Sequence, residues 1–247
     1  MKNQNHDLLV SVVIPHFNHR AYLPQAVLSI VGQTLSPDDF EIIIVNDDPR
    51  FNLNNYAKIC DGVVNIRVIQ NWTRKGQSAC LNIGIRLAKG KYVAFQDADD
   101  WSTPFRLKES HHQMVIENAD FLYGDFIAVR PNKQPLYFTA RPWERKNLMA
   151  GQLTTAFGSM MVRADVAKKI PFRENIGYMN DIAWLLDLTK EPRRITVLHL
   201  PLMYYRQHTS TFRTCKKIPV VRKIKRLWMK HKATKVIRKI NMESKND

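Results

Sequence analysis

Three carboxylates fall within four residues at Asp97-Ala98-Asp99-Asp100, directly after the apolar run Tyr92-Val93-Ala94-Phe95-Gln96. Acids crowded at the end of a buried strand are costly to ionise unless a cation or hydrogen-bond donors offset the charge. Side chains at alternate positions of a turn can converge on one hard divalent ion, Mn2+ or Mg2+, which prefers oxygen ligands. If that ion also touches a diphosphate, it makes phosphate a better leaving group. The same four residues also fit a solvated acidic turn ahead of a helix beginning near Thr103. A second acidic stop, Asn46-Asp47-Asp48, closes the run Glu41-Ile42-Ile43-Ile44-Val45 and is followed by Pro49. It fits an Asx turn, and it also offers Asp47 as an acceptor for the imide N–H of a uracil. At a third run, ending in Pro15-His16-Phe17-Asn18, proline is expected to take the chain out of a sheet, which would let the backbone and the Phe17 ring approach a base.

The elements that must position these residues alternate in kind. Leu8 to Ile14 reads as a strand buried on both faces, Tyr22, Ala26, Ile30 and Val31 have helical spacing, and Glu41 to Val45 is a second buried strand. The cycle repeats with a strand over Asn65 to Ile69, a helix over Gln77 to Ala88 stopped by Gly90, and a strand over Tyr92 to Gln96. Such alternation implies an α/β fold with a mainly parallel sheet, right-handed crossovers and flanking helices. Ligands bind such sheets beyond the carboxyl ends of the strands, where the three polar stops lie. Further on come a helix near Pro104 to Asn118, a strand near Phe121 to Val129, and mixed segments punctuated by prolines to Arg213. There is no internal repeat, so residues 1–213 read as one domain and 214–247 as a basic tail.

Four segments occur in order: Val12 to Asn18, Glu41 to Asp48, Gly76-Gln77-Ser78-Ala79-Cys80-Leu81-Asn82-Ile83-Gly84-Ile85, and Gly90 to Asp100. Together they resemble the family 2 glycosyltransferases, which have the Rossmann-like GT-A fold; the likeness is dense over residues 9–105 and thinner to about 213. The resemblance implies inverting transfer from a nucleotide diphosphate sugar, often UDP-linked, to a surface glycan or lipid-linked oligosaccharide, with a divalent cation at the acidic motif. It implies that Asp47 reads uracil, that Asp97 contacts the ribose or sugar, and that Asp99 binds the metal with Asp100 as a helper. It also puts Pro15, Phe17, Asn18 and Asn82 on donor-binding segments. Asn46 stands where relatives usually have the first Asp of a pair, Asp48-Pro49 replaces a frequent Gly-Ser, and Leu81 replaces a frequent arginine whose contact would fall to Arg74 or Lys75. These departures also fit a catalytically degenerate nucleotide- or glycan-binding module.

Inversion needs a general base for the acceptor hydroxyl. Gly177-Tyr178-Met179-Asn180-Asp181-Ile182-Ala183-Trp184 resembles the family's acidic motif at a helix start, with Asp181 in the base position. Asp181 could instead only stabilise the first turn of a helix over Asp181 to Thr189, worth ~0.3–1 kcal/mol. Trp184 suits either an acceptor sugar ring or the core. Tyr204-Tyr205-Arg206-Gln207-His208 resembles a segment, expected after the last strand, that closes over the diphosphate. There Arg206 would bond phosphate oxygens and neutral His208 would be a second protein ligand for the cation. Gly158-Ser159 fits an acceptor pocket or a tight entry to a buried run, Met160-Met161-Val162. His111-His112 has no partner at metal spacing and reads as solvated.

Composition bounds the rest. With 45% apolar and 24% charged residues among 247, the chain is neither disordered nor collagen-like. Cys60, Cys80 and Cys215 show neither a zinc spacing nor a disulfide framework, which suits a reducing compartment. The apolar stretch Leu8 to Pro15 is too brief for a signal segment or a membrane span, so a cytoplasmic location is expected. The net charge of +16 is concentrated late, with eleven Lys or Arg and no acid between Lys216 and Lys239. Basic amphipathic segments with Trp or Leu lie on anionic membranes, so residues 216–240 are expected to attach peripherally to the inner face of the cytoplasmic membrane. Nucleic acid is the competing partner, disfavoured because Trp228 is the one aromatic residue in the tail.

Overall fold

The computed structural model describes residues 7–53, 63–144, 148, 155–176 and 180–207. Its elements run β1 (Val10–His16), α1 (Leu23–Val31), β2 (Phe40–Asn46), β3 (Asn65–Gln70), α2 (Gln77–Leu87), β4 (Tyr92–Phe95), β5 (Trp101–Ser102), α3 (Arg106–Ile116), β6 (Phe121–Val129) and β7 (Leu136–Phe138). Then follow β8 (Met161–Arg163), α4 (Ala164–Lys169), α5 (Asn180–Leu188) and β9 (Ile195–Arg206). Among the described residues the strands form one nine-stranded sheet in the order β3-β2-β1-β4-β8-β6-β9-β5, with β7 on β6. The first four are parallel, as the βαβ pattern requires. The second half brings antiparallel pairs, β4 with β8 and β8 with β6, and then a parallel pair, β6 with β9.

Every residue of β1 and β2 is buried, because helices cover both faces of the sheet. Val12, Ile14, Ile42 and Ile44 pack on one side with Leu23, Val27 and Ile30 of α1 and with Leu107 and Met114 of α3. Val13, Ile43 and Val45 pack on the other with Leu81 and Ile85 of α2 and with Trp184 and Leu185 of α5. A Cβ on Gly84 would come 2.3 Å from Val13 Cγ1, so glycine lets α2 lie directly on β1. Trp184 is fully buried, its ring stacked on Phe172 at 4.8 Å and its Nε1 donating to Ile170 O at 2.7 Å. Of its two readings, the core one holds.

Several local expectations change. β1 does not leave the sheet at Pro15, which pairs with Val45. Backbone groups of alternate residues face alternate neighbours; Gln96 N donates to Val13 O, so the missing Pro15 N–H faces the side where β4 has already ended. The acidic turn leads into the two-residue strand β5, which pairs with β9 through Trp101 and Tyr204, and the helix starts later, at Arg106. Tyr204 to Arg206 belong to β9 instead of following it. Gly158 and Ser159 form a 3-10 turn before β8, where a Cβ on Gly158 would meet Met203 Sδ at 2.7 Å, as the tight-entry reading requires. His111 is half-buried against the Tyr92 ring at 5.4 Å, not solvated. Cys80 is free and buried. Cys60, Cys215, His208 and the tail lie outside the described residues. Among the described residues no helix is long and apolar enough to cross a membrane.

Candidate active site

The carboxyl ends of β1, β2 and β4 open into one cavity of about 410 Å³. Pro15 near the end of β1 and Phe17 and His19 after it line the cavity, with Asp47 after β2, and Asp97 and Asp99 after β4. Gly76, Gln77 and Ser78, where α2 begins, form another wall, and Glu174, Ile176 and Asn180 close it from the second half of the chain.

At one end lies Asp47, 2% exposed. Its Oδ1 accepts from Asn71 Nδ2 at 3.0 Å and from Lys75 N at 2.8 Å, and its Oδ2 accepts from Gly76 N at 2.8 Å. Gly76 makes this wrap feasible, since its φ of +91° suits residues without a Cβ. The Cys80 thiol also hydrogen-bonds this carboxylate, and since a carboxylate offers about four lone-pair sites, a ligand N–H would share one of them with a donor already present. Beside it the Arg74 guanidinium lies 4.1 Å over the Phe17 ring, giving the cavity an aromatic and cationic edge. The Asx reading also holds, for the neighbours of Asp47: Asp48 N donates to Asn46 Oδ1 at 3.2 Å and Arg50 N donates to Asp48 Oδ1 at 3.1 Å. Asn46 is a buried tie, its Oδ1 2.7 Å from His16 Nδ1 and its Nδ2 donating to Gln70 Oε1 at 2.7 Å and Phe51 O at 2.5 Å. An Asp there could not donate to these two oxygens.

The other end is acidic. Burial, helped by the nearby charges of Asp99 and Asp181 and opposed by Arg106, pushes the Asp97 carboxyl up to about 7. Asp100 is 2% exposed; its Oδ1 accepts from Arg206 N at 2.7 Å, and its Oδ2 is buried with no hydrogen-bond partner among the described residues. Burial, then Asp97 and Asp99, raise it well above the carboxylate range. Beneath the turn Arg106 is 1% exposed and donates to Gln96 Oε1 at 2.9 Å, Ser102 Oγ at 2.8 Å and Phe95 O at 2.5 Å. Burial pulls its guanidinium down to about 9, with Asp97 opposing the change. Asp99 Oδ2 lies 3.7 Å from His19 Nδ1. Among the described residues no three His, Cys, Asp or Glu side chains are gathered closely enough to hold a metal by themselves. Asp97 and Asp99 nevertheless both line the cavity, and two carboxyl groups side by side suit a cation whose other ligands are phosphate and water.

Asp181 is in the first turn of α5. Burial raises its pKa, while the backbone N–H groups of Ile182 and of Asp181 itself oppose the rise. Its neighbour Asn180 lines the cavity and donates from Nδ2 to Ser78 Oγ at 3.2 Å.

Neither Asp181, expected as the base, nor three residues expected at the donor are among those that line the cavity. Asn18 is exposed, with a φ of 59° that turns the chain after β1. Asn82 is buried and committed: Nδ2 donates to Phe172 O and to Glu174 Oε1, both at 2.9 Å, and Oδ1 accepts from Phe172 N at 2.7 Å. The Arg206 guanidinium sits 4.6 Å from both the Tyr22 and Trp101 rings, with Nε donating to Asp99 O at 2.8 Å. Three residues that the sequence reading passed over belong to the site: His19, Arg106 and Glu174. Arg106 had a faint signal as a basic residue opening the helix after the acidic turn. Glu174 had none, because its partner Asn82 is 92 positions away.

Comparison with known proteins accords with this geometry. The model of glycosyl transferase family 2 matches residues 11–168. Glycosyltransferase GlyG of Streptococcus pneumoniae is 30% identical over 134 residues, 53% of this chain and 43% of that protein. The poly(ribitol-phosphate) beta-glucosyltransferase of Bacillus spizizenii is 36% identical over 195 residues, 76% of this chain and 30% of its own length. This chain therefore spans less than half the length of either relative. The crystal structure of S. aureus TarS 1–349 in complex with UDP-GlcNAc superimposes with a TM-score of 0.68 at 21% identity, over 81% of this chain and 59% of that one. The fold is thus GT-A-like, and the chain belongs to glycosyl transferase family 2.

Proposed function

We propose that the chain transfers a sugar, with inversion, from a UDP-linked donor to a hydroxyl of a surface glycan or lipid-linked glycan. The observation that carries this reading is that Asp47, Asp97, Asp99 and Asn180, from three separate parts of the chain, line one cavity. Uracil would sit beside Phe17 and Arg74 with its imide N–H on Asp47. The diphosphate would face the start of α2, an eleven-residue helix whose N-terminus favours anions. Asp99, with Asp97 beside it and His208 as a further ligand, would hold a divalent cation, which when bound neutralises charge on the leaving diphosphate. In the transfer the acceptor oxygen bonds to the anomeric carbon as the bond from that carbon to the phosphate oxygen breaks. UDP departs with the electron pair, and the acceptor proton passes to the Asp181 carboxylate. The raised pKa of Asp181 makes it the stronger base for that step. Residues 216–240 would hold the enzyme on an anionic membrane, near a lipid-linked acceptor.

The test is turnover of a competent UDP-sugar in two variants. Asp99→Ala should abolish cation-dependent transfer, and Asp181→Asn should keep donor binding while losing transfer. Unchanged turnover in either would remove that residue from its role.

A further inference from the structure

We propose that Glu174 selects the transferred sugar, its carboxylate accepting a hydrogen bond from a hydroxyl of the hexose, with Asn82 as the positioning residue that presents it. The inference rests on the donor reading above and names a contact within it.

Glu174 lines the cavity together with Ile176 and Asn180, on the wall that the second half of the chain contributes. An exposed glutamate ordinarily samples many rotamers, which weakens any contact it makes. Here one oxygen is tethered, since Asn82 Nδ2 donates to Glu174 Oε1 at 2.9 Å. Asn82 is itself 5% exposed and fixed at both ends of its amide by the Phe172 backbone. The tether is therefore rigid, and it runs from α2, the helix whose first residues form a wall of the same cavity. A carboxylate only accepts hydrogen bonds, and one bond leaves most of its lone-pair sites for ligand. Such a group repels a diphosphate and favours a neutral, hydroxyl-rich partner. Of the donor's four parts, base, ribose, diphosphate and hexose, the ribose and the hexose have that chemistry, and because free UDP carries the ribose but not the hexose, comparing UDP with UDP-sugars separates the two. A site built to bond a hydroxyl discriminates strongly against a ligand that lacks it or points it elsewhere.

The full chain with Mn2+ would be titrated calorimetrically with UDP, UDP-glucose, UDP-galactose and UDP-N-acetylglucosamine, as wild type and as Glu174→Gln. Glutamine keeps an oxygen for Asn82 while losing the charge. The expected result is an unchanged UDP affinity and about a tenfold loss for the UDP-sugar that the wild type holds best, the scale of one hydrogen bond to a charged acceptor. Asn82→Asp should lower the same UDP-sugar to UDP affinity ratio; an unchanged ratio would remove the positioning role. An unchanged sugar affinity in Glu174→Gln, an equal loss for UDP, or a wild type that holds UDP and all three sugars alike would each overturn the assignment. Failure of the wild type to bind UDP would overturn the donor reading, a separate outcome.

Discussion

The backbone N–H of Arg206 donates to Oδ1 of Asp100 at 2.7 Å, tying the last residue of β9 to the last carboxylate of the acidic turn. The side chain of the same arginine donates to Asp99 O and lies between the Tyr22 and Trp101 rings. Arg206 thus shapes the turn that carries Asp99. Arg206→Ala keeps the main-chain bond but loses the guanidinium contacts, so it should lower stability by about 1–3 kcal/mol and reduce donor turnover. Lysine should restore little, because it lacks the planar face and fork. Urea unfolding checks this, and wild-type stability in Arg206→Ala would contradict it.

A second prediction concerns pH and stability. The folded-state pKa values of Asp97, about 7, and of Asp100 lie above their unfolded values. The folded state therefore binds more protons in that window, and stability falls as pH rises from the ordinary carboxylate range through the raised values. Asp100→Asn removes one of the two groups while keeping an oxygen for Arg206 N. Without added divalent cation, its melting temperature should fall less between pH 4 and pH 7 than that of the wild type. Parallel melting curves against pH would contradict this.

The base predicts a pH profile. On the proposed mechanism transfer requires ionised Asp181, whose pKa is raised by burial. The rate at saturating donor should fall as pH drops, with a midpoint above the ordinary carboxylate range. Initial rates measured from pH 5 to pH 8 check it; a midpoint at or below that range would point to another base.

Asn46→Asp would install the residue usual in relatives, and it should nonetheless weaken this protein. A carboxylate would face Phe51 O and Gln70 Oε1, where Asn46 Nδ2 now donates. The expected loss is about 1–3 kcal/mol, that of leaving buried polar groups unpaired. Equal or greater stability by urea unfolding would show that the tie is dispensable.

What could be read in the sequence followed from local chemistry. Buried strands that stop in Asp47, Asp97 and Asp99 announce a site at the carboxyl ends of a sheet, and those three residues do line one cavity. Asn82 and Arg206 lie on the right segments, but their side chains are held by Phe172, Glu174, Tyr22 and Trp101, partners far away in the chain. No local pattern encodes such pairings. β5 has only two residues, too few to show alternation, so its pairing with β9 was illegible too. Pro15 misled because proline disrupts a strand only where its N–H would meet a neighbour, and β4 ends short of it.

The proposed function requires one cavity to bind UDP between Asp47 and Asp99, and titration calorimetry of UDP against the wild-type chain and Asp47→Ala, with and without Mn2+, checks it. It predicts saturable binding by the wild type that tightens with Mn2+ and weakens at least tenfold in Asp47→Ala, from the loss of a charged acceptor. No UDP binding by the wild type, or equal affinity in Asp47→Ala, would contradict it.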